Sequence, residues 1–186
     1  MENKTPFMSE IPEKEPQRQQ YFMAHAKEQL HILEENLGRP LTCCINTFGC
    51  QMNARDSEKL LGILETIGYQ AVETEDADFV LYNTCTVREN ANLRVYGRLG
   101  QLGARKKKHP HMMIALCGCM MQEKEVVEKI KKTYRFVDLI FGTHNIFKLA
   151  ELVSLCLEER LEELEAQGRE DKKPKHKTVV EVWKET

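Results

Sequence analysis

Short apolar runs alternate with longer amphipathic runs from residue 41 to about residue 160, and this alternation restricts the fold more than any other feature. The apolar runs are strand-like and lie at residues 41–47, 69–73, 78–83, 112–117 and 137–141. The segments between them have the apolar spacing of helices. The pattern predicts an α/β fold with a mainly parallel sheet of roughly five strands, crossover helices on its faces and a flavodoxin- or Rossmann-like architecture.

The ends of the chain differ from this central part. Residues 1–40 are predicted to form a polar leader and one helix, because helical spacing of apolar side chains and a following Gly38 mark a helix over residues 21–37 (Phe22, Ala26, Leu30, Leu33). Residues 41–160 form the predicted domain. We expect residues 161–186 to be a charged linker toward a further domain that this chain lacks, although residues 178–183 turn strand-like again.

A long helix is predicted from about Thr86 to the basic stretch at residues 105–108, which precedes Pro110. Its apolar face is expected to consist of residues at helical spacing (Leu93, Gly97, Leu99, Leu102). The basic stretch is interpreted as a solvated helix end that the helix dipole favours, with an RNA-facing patch as the alternative.

Charge and cysteine content restrict the class of protein. The net charge is −2, so no general basic field indicates nucleic-acid binding. The first twenty residues carry no secretory signal pattern, and no apolar run approaches the roughly 20 residues of a membrane helix. We therefore expect a cytoplasmic protein with no membrane partner, in which the seven cysteines do not form a disulfide framework and some of them bind a metal or act in catalysis.

Three of the cysteines occupy equivalent positions. Cys50, Cys85 and Cys119 each follow a strand-like run and precede a helix-like run. Strand-to-helix turns of a parallel sheet all lie at its carboxyl edge, which is where such folds bind ligands. Three thiols converging there predict an iron–sulfur cluster or another thiophilic metal, with a three-thiolate zinc site as the rival. The other four cysteines are interpreted as packing residues (Cys43, Cys44, Cys117, Cys156).

Residues near these turns suit the binding of thiolates. Asn53 is predicted to cap the helix after Cys50, and Thr86 with Glu89 forms a capping box after Cys85. Arg55 and Arg88 would offset negative charge. Gly49 and Gly118 would permit close backbone approach or a positive φ.

Two other functions are compatible with the residues alone. A thiol redox protein would use Cys117 and Cys119, although their spacing is Cys-x-Cys and not the Cys-x-x-Cys of thioredoxin-like sites. A nucleotide- or RNA-binding α/β module would not depend on its cysteines.

Three ordered motifs make the chain resemble the N-terminal domain of the radical-SAM methylthiotransferases. They are Thr47-Phe48-Gly49-Cys50-Gln51-Met52-Asn53, Asn83-Thr84-Cys85-Thr86-Val87-Arg88-Glu89 and Gly118-Cys119, followed by Val137-Asp138-Leu139-Ile140-Phe141-Gly142. The resemblance extends over about residues 41–155. The residues in these motifs are most similar to those of the branch of the family that modifies isopentenyladenosine in tRNA.

The resemblance implies a cofactor, a reaction and partners. Cys50, Cys85 and Cys119 would bind an auxiliary [4Fe-4S] cluster whose open iron carries the sulfur or methylthio group that is added to C2 of isopentenyladenosine beside the anticodon. The complete enzyme would also use a second [4Fe-4S] cluster, S-adenosylmethionine, tRNA, a sulfur donor and an electron donor.

The spacing of the cysteines departs from the complete family pattern. Successive cysteines are 1, 6, 35, 32, 2 and 37 positions apart, so the Cys-x-x-x-Cys-x-x-Cys motif of radical-SAM chemistry is absent. We therefore expect the auxiliary-cluster domain of such a transferase, without its radical-SAM core and inactive by itself.

Overall fold

The computed structural model describes residues 11–49, 51–85, 89–167 and 176–182, with the backbone alone at residues 52 and 89–92. These residues form a six-stranded sheet with helices on both faces. The strands are β1 (Thr42–Phe48), β2 (Gln70–Ala71), β3 (Phe79–Thr84), β4 (Met113–Gly118), β5 (Leu139–Phe141) and β6 (Val179–Glu181). All neighbouring pairs are parallel, and the spatial order is β2-β1-β3-β4-β5-β6.

Five α-helices connect or flank the strands: α1 (Gln17–Leu37), α2 (Gln51–Ile67), α3 (Glu89–Lys108), α4 (Lys124–Thr133) and α5 (Leu149–Ala166). Short 3-10 turns follow β4 at Cys119–Gln122 and β5 at Thr143–Lys148. The predicted α/β fold is therefore confirmed. The strand order is that of doubly wound folds, in which the ligand crevice lies where the strand order reverses, here between β1 and β3.

Alternation of side chains along the strands produces two hydrophobic cores. Phe79 and Leu81 of β3 face α1, α2 and α5, whereas Val80 and Tyr82 face α3 and α4. Helix α1 belongs to the first core, because all four apolar side chains predicted to line it are buried (Phe22, Ala26, Leu30, Leu33). It ends as expected at Gly38, whose φ is +72°.

The sheet has one strand more than expected. Val179–Glu181 pairs in parallel with Leu139–Phe141, so the segment predicted as a charged linker contains an edge strand. Helix α5 also continues to Ala166, beyond the predicted limit of the domain at residue 160. A linker function for residues 161–186 remains a prediction.

One expectation for α3 was wrong and a second holds only in part. Leu93 is 71% exposed, and the buried face of the helix consists of Val95, Leu99 and Leu102. The basic stretch is solvated only in part, because Arg105 pairs with Asp76 and the half-buried Lys106 pairs with the buried Asp138. No helix among the described residues has the length and apolarity needed to cross a membrane.

Candidate metal centre at the carboxyl edge of the sheet

Strands β1, β3 and β4 end in register. Phe48 pairs with Thr84, and Thr84 pairs with Gly118, so the three last residues lie side by side. Cys85 and Cys119 directly follow Thr84 and Gly118. Cys50, two positions after Phe48, lies outside the described residues. Two of the three predicted ligands, Cys85 and Cys119, therefore follow adjacent strand ends at one edge of the sheet. The strand that precedes the third predicted ligand, β1, ends beside them.

Gly118 makes the contact between the ends of β3 and β4 possible. Its φ is +104°, a conformation that side chains rarely adopt, and an added Cβ would lie 2.1 Å from the carbonyl oxygen of Thr84. Only glycine fits here without a shift of the backbone. The predicted need for glycine before Cys119 is thereby confirmed, and Cys119 begins its 3-10 turn immediately beside the Cys85 turn.

Gly49 brings the end of β1 equally close to Cys85. An added Cβ at Gly49 would lie 2.7 Å from the Cβ of Cys85 and 2.6 Å from Oδ1 of Asn53. The backbone directly before Cys50 thus touches both the Cys85 side chain and the first turn of α2. This contact places the start of the Cys50 turn against a second candidate ligand.

The two described thiols differ in their exposure. Cys85 is buried, whereas Cys119 is exposed. The Cys119 Sγ lies 3.7 Å from Oγ1 of Thr143, in the turn that follows β5. Thr143 was not among the predicted site residues, although Phe141-Gly142-Thr143 repeats the order of strand residue, glycine and polar residue found in Cys117-Gly118-Cys119. The exposed side of the site is therefore at Cys119 and Thr143.

The four cysteines interpreted as packing residues are all buried (Cys43, Cys44, Cys117, Cys156). Burial raises the pKa of Cys43 to about 12 and raises the pKa of Cys117 well above its usual range. Burial likewise raises the pKa of the Cys44 and Cys156 thiols. A protonated thiol is a poor nucleophile and a poor metal ligand. The complete burial of Cys117 also disfavours a redox function for Cys117 and Cys119.

Asn53 does not cap α2 as predicted, because the helix begins at Gln51 and already contains Asn53. Its buried side chain bonds across to β3: Nδ2 donates to the Thr84 carbonyl oxygen at 3.1 Å and to Oδ1 of Asn83 at 3.3 Å. The side chain of Arg55 is exposed on the first turns of α2. Thr86, Arg88 and the capping box that begins at Thr86 lie outside the described residues.

The residues at this edge fit a group bound by thiolates. Among the described residues no three His, Cys, Asp or Glu side chains are grouped to hold a metal ion, and that search does not include Cys50. Cys85 and Cys119 supply two sulfur donors at neighbouring strand ends, and Gly49 and Gly118 keep the backbone around them free of Cβ atoms. Sulfur donors select zinc or iron–sulfur clusters over hard cations. The ligand set Cys50, Cys85 and Cys119 remains a prediction.

Comparison with known proteins identifies the family of this chain. The family model described as uncharacterized protein family UPF0004 matches residues 42–142, which include all three predicted ligands. This segment is more than half of the chain, and the chain therefore belongs to that family, whose domain is the N-terminal domain of methylthiotransferases.

Two curated relatives are both named tRNA-2-methylthio-N(6)-dimethylallyladenosine synthase. The protein from Lachnoclostridium phytofermentans is 62% identical over 164 residues, which are 88% of this chain and 32% of the relative. The protein from Acetivibrio thermocellus is 47% identical over 174 residues, 93% of this chain and 33% of the relative. The chain thus spans about a third of the length of these relatives.

Proposed function

We propose that this chain is the part of a tRNA methylthiotransferase that binds an auxiliary [4Fe-4S] cluster through Cys50, Cys85 and Cys119. The observation that carries the proposal is the register of Phe48, Thr84 and Gly118, which sets the ends of the three strands that precede these cysteines side by side. Burial raises the pKa of the Cys43, Cys44, Cys117 and Cys156 thiols, which disfavours these four residues as thiolate ligands.

The chemistry of such a group suits sulfur transfer. A [4Fe-4S] cluster held by three thiolates has one iron without a protein ligand, and that iron could hold the sulfur or methylthio group. The chain's own contribution is to hold the thiolates together and to leave one side open. Because Cys85 is buried and Cys119 is exposed, we propose that a substrate approaches from the Cys119 side.

The substrate and the remaining cofactors follow from the relatives. Their names specify a dimethylallyladenosine in tRNA, and we propose C2 of this nucleotide, beside the anticodon, as the acceptor of the methylthio group. The second [4Fe-4S] cluster and S-adenosylmethionine would be bound by the part of the longer proteins that this chain does not cover. The chain by itself is accordingly proposed to be inactive, with sulfur and electron donors serving the longer protein.

Anaerobic reconstitution with ferrous iron and sulfide tests the proposal directly. We expect about four irons and four labile sulfides per chain and the Mössbauer spectrum of a [4Fe-4S] cluster. Replacing Cys50, Cys85 or Cys119 with alanine should abolish stable uptake, because each would remove one of only three ligands. Cys117→Ala and Cys156→Ala are matched controls, since both remove a buried thiol, and both should retain the cluster.

Two results would contradict the proposal. A folded wild-type chain that takes up no iron would exclude cluster binding by this chain. Full iron and sulfide in the Cys85→Ala or Cys119→Ala protein would remove that residue from the ligand set. Preferential uptake of one zinc ion, lost in the same variants, would instead support the zinc site.

A further inference from the structure

Four polar side chains form a hydrogen-bonded network beneath the cysteine turns: Thr47 of β1, Asn53 and Ser57 of α2, and Asn83 of β3. We refer to them as the amide–hydroxyl network. Nδ2 of Asn83 donates to the Asn53 carbonyl oxygen at 2.8 Å and to Oγ of Ser57 at 3.0 Å. The Ser57 hydroxyl in turn lies 2.7 Å from Oγ1 of Thr47. The network therefore joins β1, α2 and β3 at the point where all three reach the carboxyl edge.

Asn83 is the centre of this network. Its side chain is 1% exposed, it stands on the face of β3 that is otherwise apolar, and it uses both amide hydrogens. Its oxygen also accepts from Nδ2 of Asn53 at 3.3 Å. A buried amide is unfavourable unless such bonds are made, and an apolar side chain would pack here without that requirement. The presence of asparagine at position 83 is best explained by the groups that its directional hydrogen bonds hold in place.

The bonds of the network end beside the candidate ligands. Asn53 donates to the carbonyl oxygen of Thr84, the residue before Cys85, and its Oδ1 fills the space next to Gly49, the residue before Cys50. Thr84 is fixed from its other side as well, because its hydroxyl donates to the Cys117 carbonyl oxygen at 2.7 Å. Displacing Asn83 would therefore displace the backbone that leads into two of the three turns.

We infer that Asn83 is a positioning residue for the cluster, which it does not touch. It holds the first turn of α2 against the end of β3, so that the backbone leading into the Cys50 and Cys85 turns is fixed before the cluster binds. Preorganisation of this kind strengthens metal binding, since bringing negatively charged thiolates together is otherwise unfavourable. This inference rests on the function proposed above.

The rate at which a chelator removes iron from the reconstituted protein tests the inference. In Asn83→Leu, which removes both donors without adding a charge, we expect iron release on the order of tenfold faster than in the wild-type protein. Ser57→Ala should accelerate release less, because it removes one bond. Ser57→Thr keeps a hydroxyl and should release iron at the wild-type rate, a rescue that a general packing defect would not show.

Asn46→Leu is the matched control. Asn46 is also a strand asparagine near the carboxyl edge, but it donates to Glu75 at 2.5 Å and not to the network. Urea unfolding of the cluster-free proteins measures the fold separately. We expect a change in iron release for Asn83→Leu and none for Asn46→Leu, even where both lower the free energy of unfolding.

The outcomes separate this inference from the proposed function. A wild-type chain that binds the cluster, together with Asn83→Leu and Ser57→Ala proteins that release iron at the wild-type rate, would overturn the positioning role alone. Faster release from Asn46→Leu as well would also overturn it, because any loss of stability would then suffice. A wild-type chain that takes up no iron would overturn both.

Discussion

The two edges of the sheet are held together by different chemistry. Around the ends of β1, β3 and β4 the bonds across the carboxyl edge come from amides and hydroxyls, chiefly those of Asn53, Ser57 and Asn83. At the amino edge the bonds come from charged groups: Asp78 and Asp138 directly precede β3 and β5 and bind cationic side chains. Neutral donors thus join the residues that lead into the thiol-bearing turns, whereas full charges join the elements at the far edge.

The carboxylate of Asp138 binds groups from several helices and strands at once. Its carboxylate accepts from Lys106 at 2.8 Å, from Arg160 at 2.6 Å and from the backbone N–H of Ile114 at 2.8 Å. Asp138 and Arg160 are almost completely buried. Burial lowers the pKa of Lys106 while the nearby Asp138 opposes that shift. One carboxylate therefore links α3, α5 and the beginning of β4 to the beginning of β5.

This difference indicates where stability and function reside. A buried carboxylate at the carboxyl edge would repel thiolates, whereas N–H and O–H groups stabilise them. Charged networks at the amino edge can stabilise the fold without changing the electrostatics of the site. Substitutions at the amino edge should therefore change the free energy of unfolding, and substitutions at the carboxyl edge should change cluster binding.

The largest effect is expected for Asp138→Asn. The change removes the carboxylate that faces the half-buried Lys106 and the buried Arg160 and leaves Arg160 only the more distant Glu163, so we expect a loss of about 3 kcal/mol in the free energy of unfolding, measured in urea. Asp76→Asn is the control, because Asp76 is exposed where it pairs with Arg105 and should contribute at most about 1 kcal/mol. Equal losses in the two proteins would show that the buried network does not stabilise the frame.

Gly118→Ala should have the next largest effect and should change both the free energy of unfolding and iron uptake. The new Cβ meets the Thr84 carbonyl oxygen and imposes strain at φ +104°, so we expect a loss of about 2–3 kcal/mol together with loss of iron uptake. Gly97→Ala is the control, because nothing lies within 4 Å of an added Cβ there and alanine favours helices. A Gly118→Ala protein that unfolds and binds iron as the wild type does would refute the close approach of β3 and β4.

The smallest effect concerns pH and the second aspartate of the amino edge. Burial opposes ionisation of Asp78, but hydrogen bonds from Arg39, His111 and the Thr42 backbone outweigh it and lower the pKa of the carboxyl group. The ionised form is therefore favoured in the folded state, and its contribution is present above about pH 4 and is lost as the pH falls through the folded-state pKa.

Comparing the wild-type protein with Asp78→Asn measures this contribution. We expect the wild type to be more stable by about 1–2 kcal/mol at pH 7, since Arg39 is half exposed, and the difference to shrink steadily below about pH 4. A difference that stays constant down to about pH 2 would mean that ionisation of Asp78 does not stabilise the fold.

Local patterns were sufficient for most of the fold. Helix α1 and its buried face followed from periodicity, because Phe22, Ala26, Leu30 and Leu33 are spaced to cover one side of a helix. The same reasoning was wrong for Leu93, since spacing alone does not specify which neighbouring segment is present to cover a side chain. It also underestimated Lys106, because its partner Asp138 is distant in sequence and comes close only through the packing of α3 against β5.

For the candidate site too, some features followed from local sequence and others only from the tertiary structure. Because cysteines and glycines at strand ends are local signals, the sequence by itself determined the carboxyl edge, the turns of Cys85 and Cys119 and the need for glycine at position 118. Only the tertiary structure decided that Asn53 and Asn83 bond to each other, that Thr143 lies beside Cys119 and that residues 179–181 add a sixth strand. These contacts join residues 24 to 40 positions apart in the sequence, and their geometry depends on the packing of whole helices and strands.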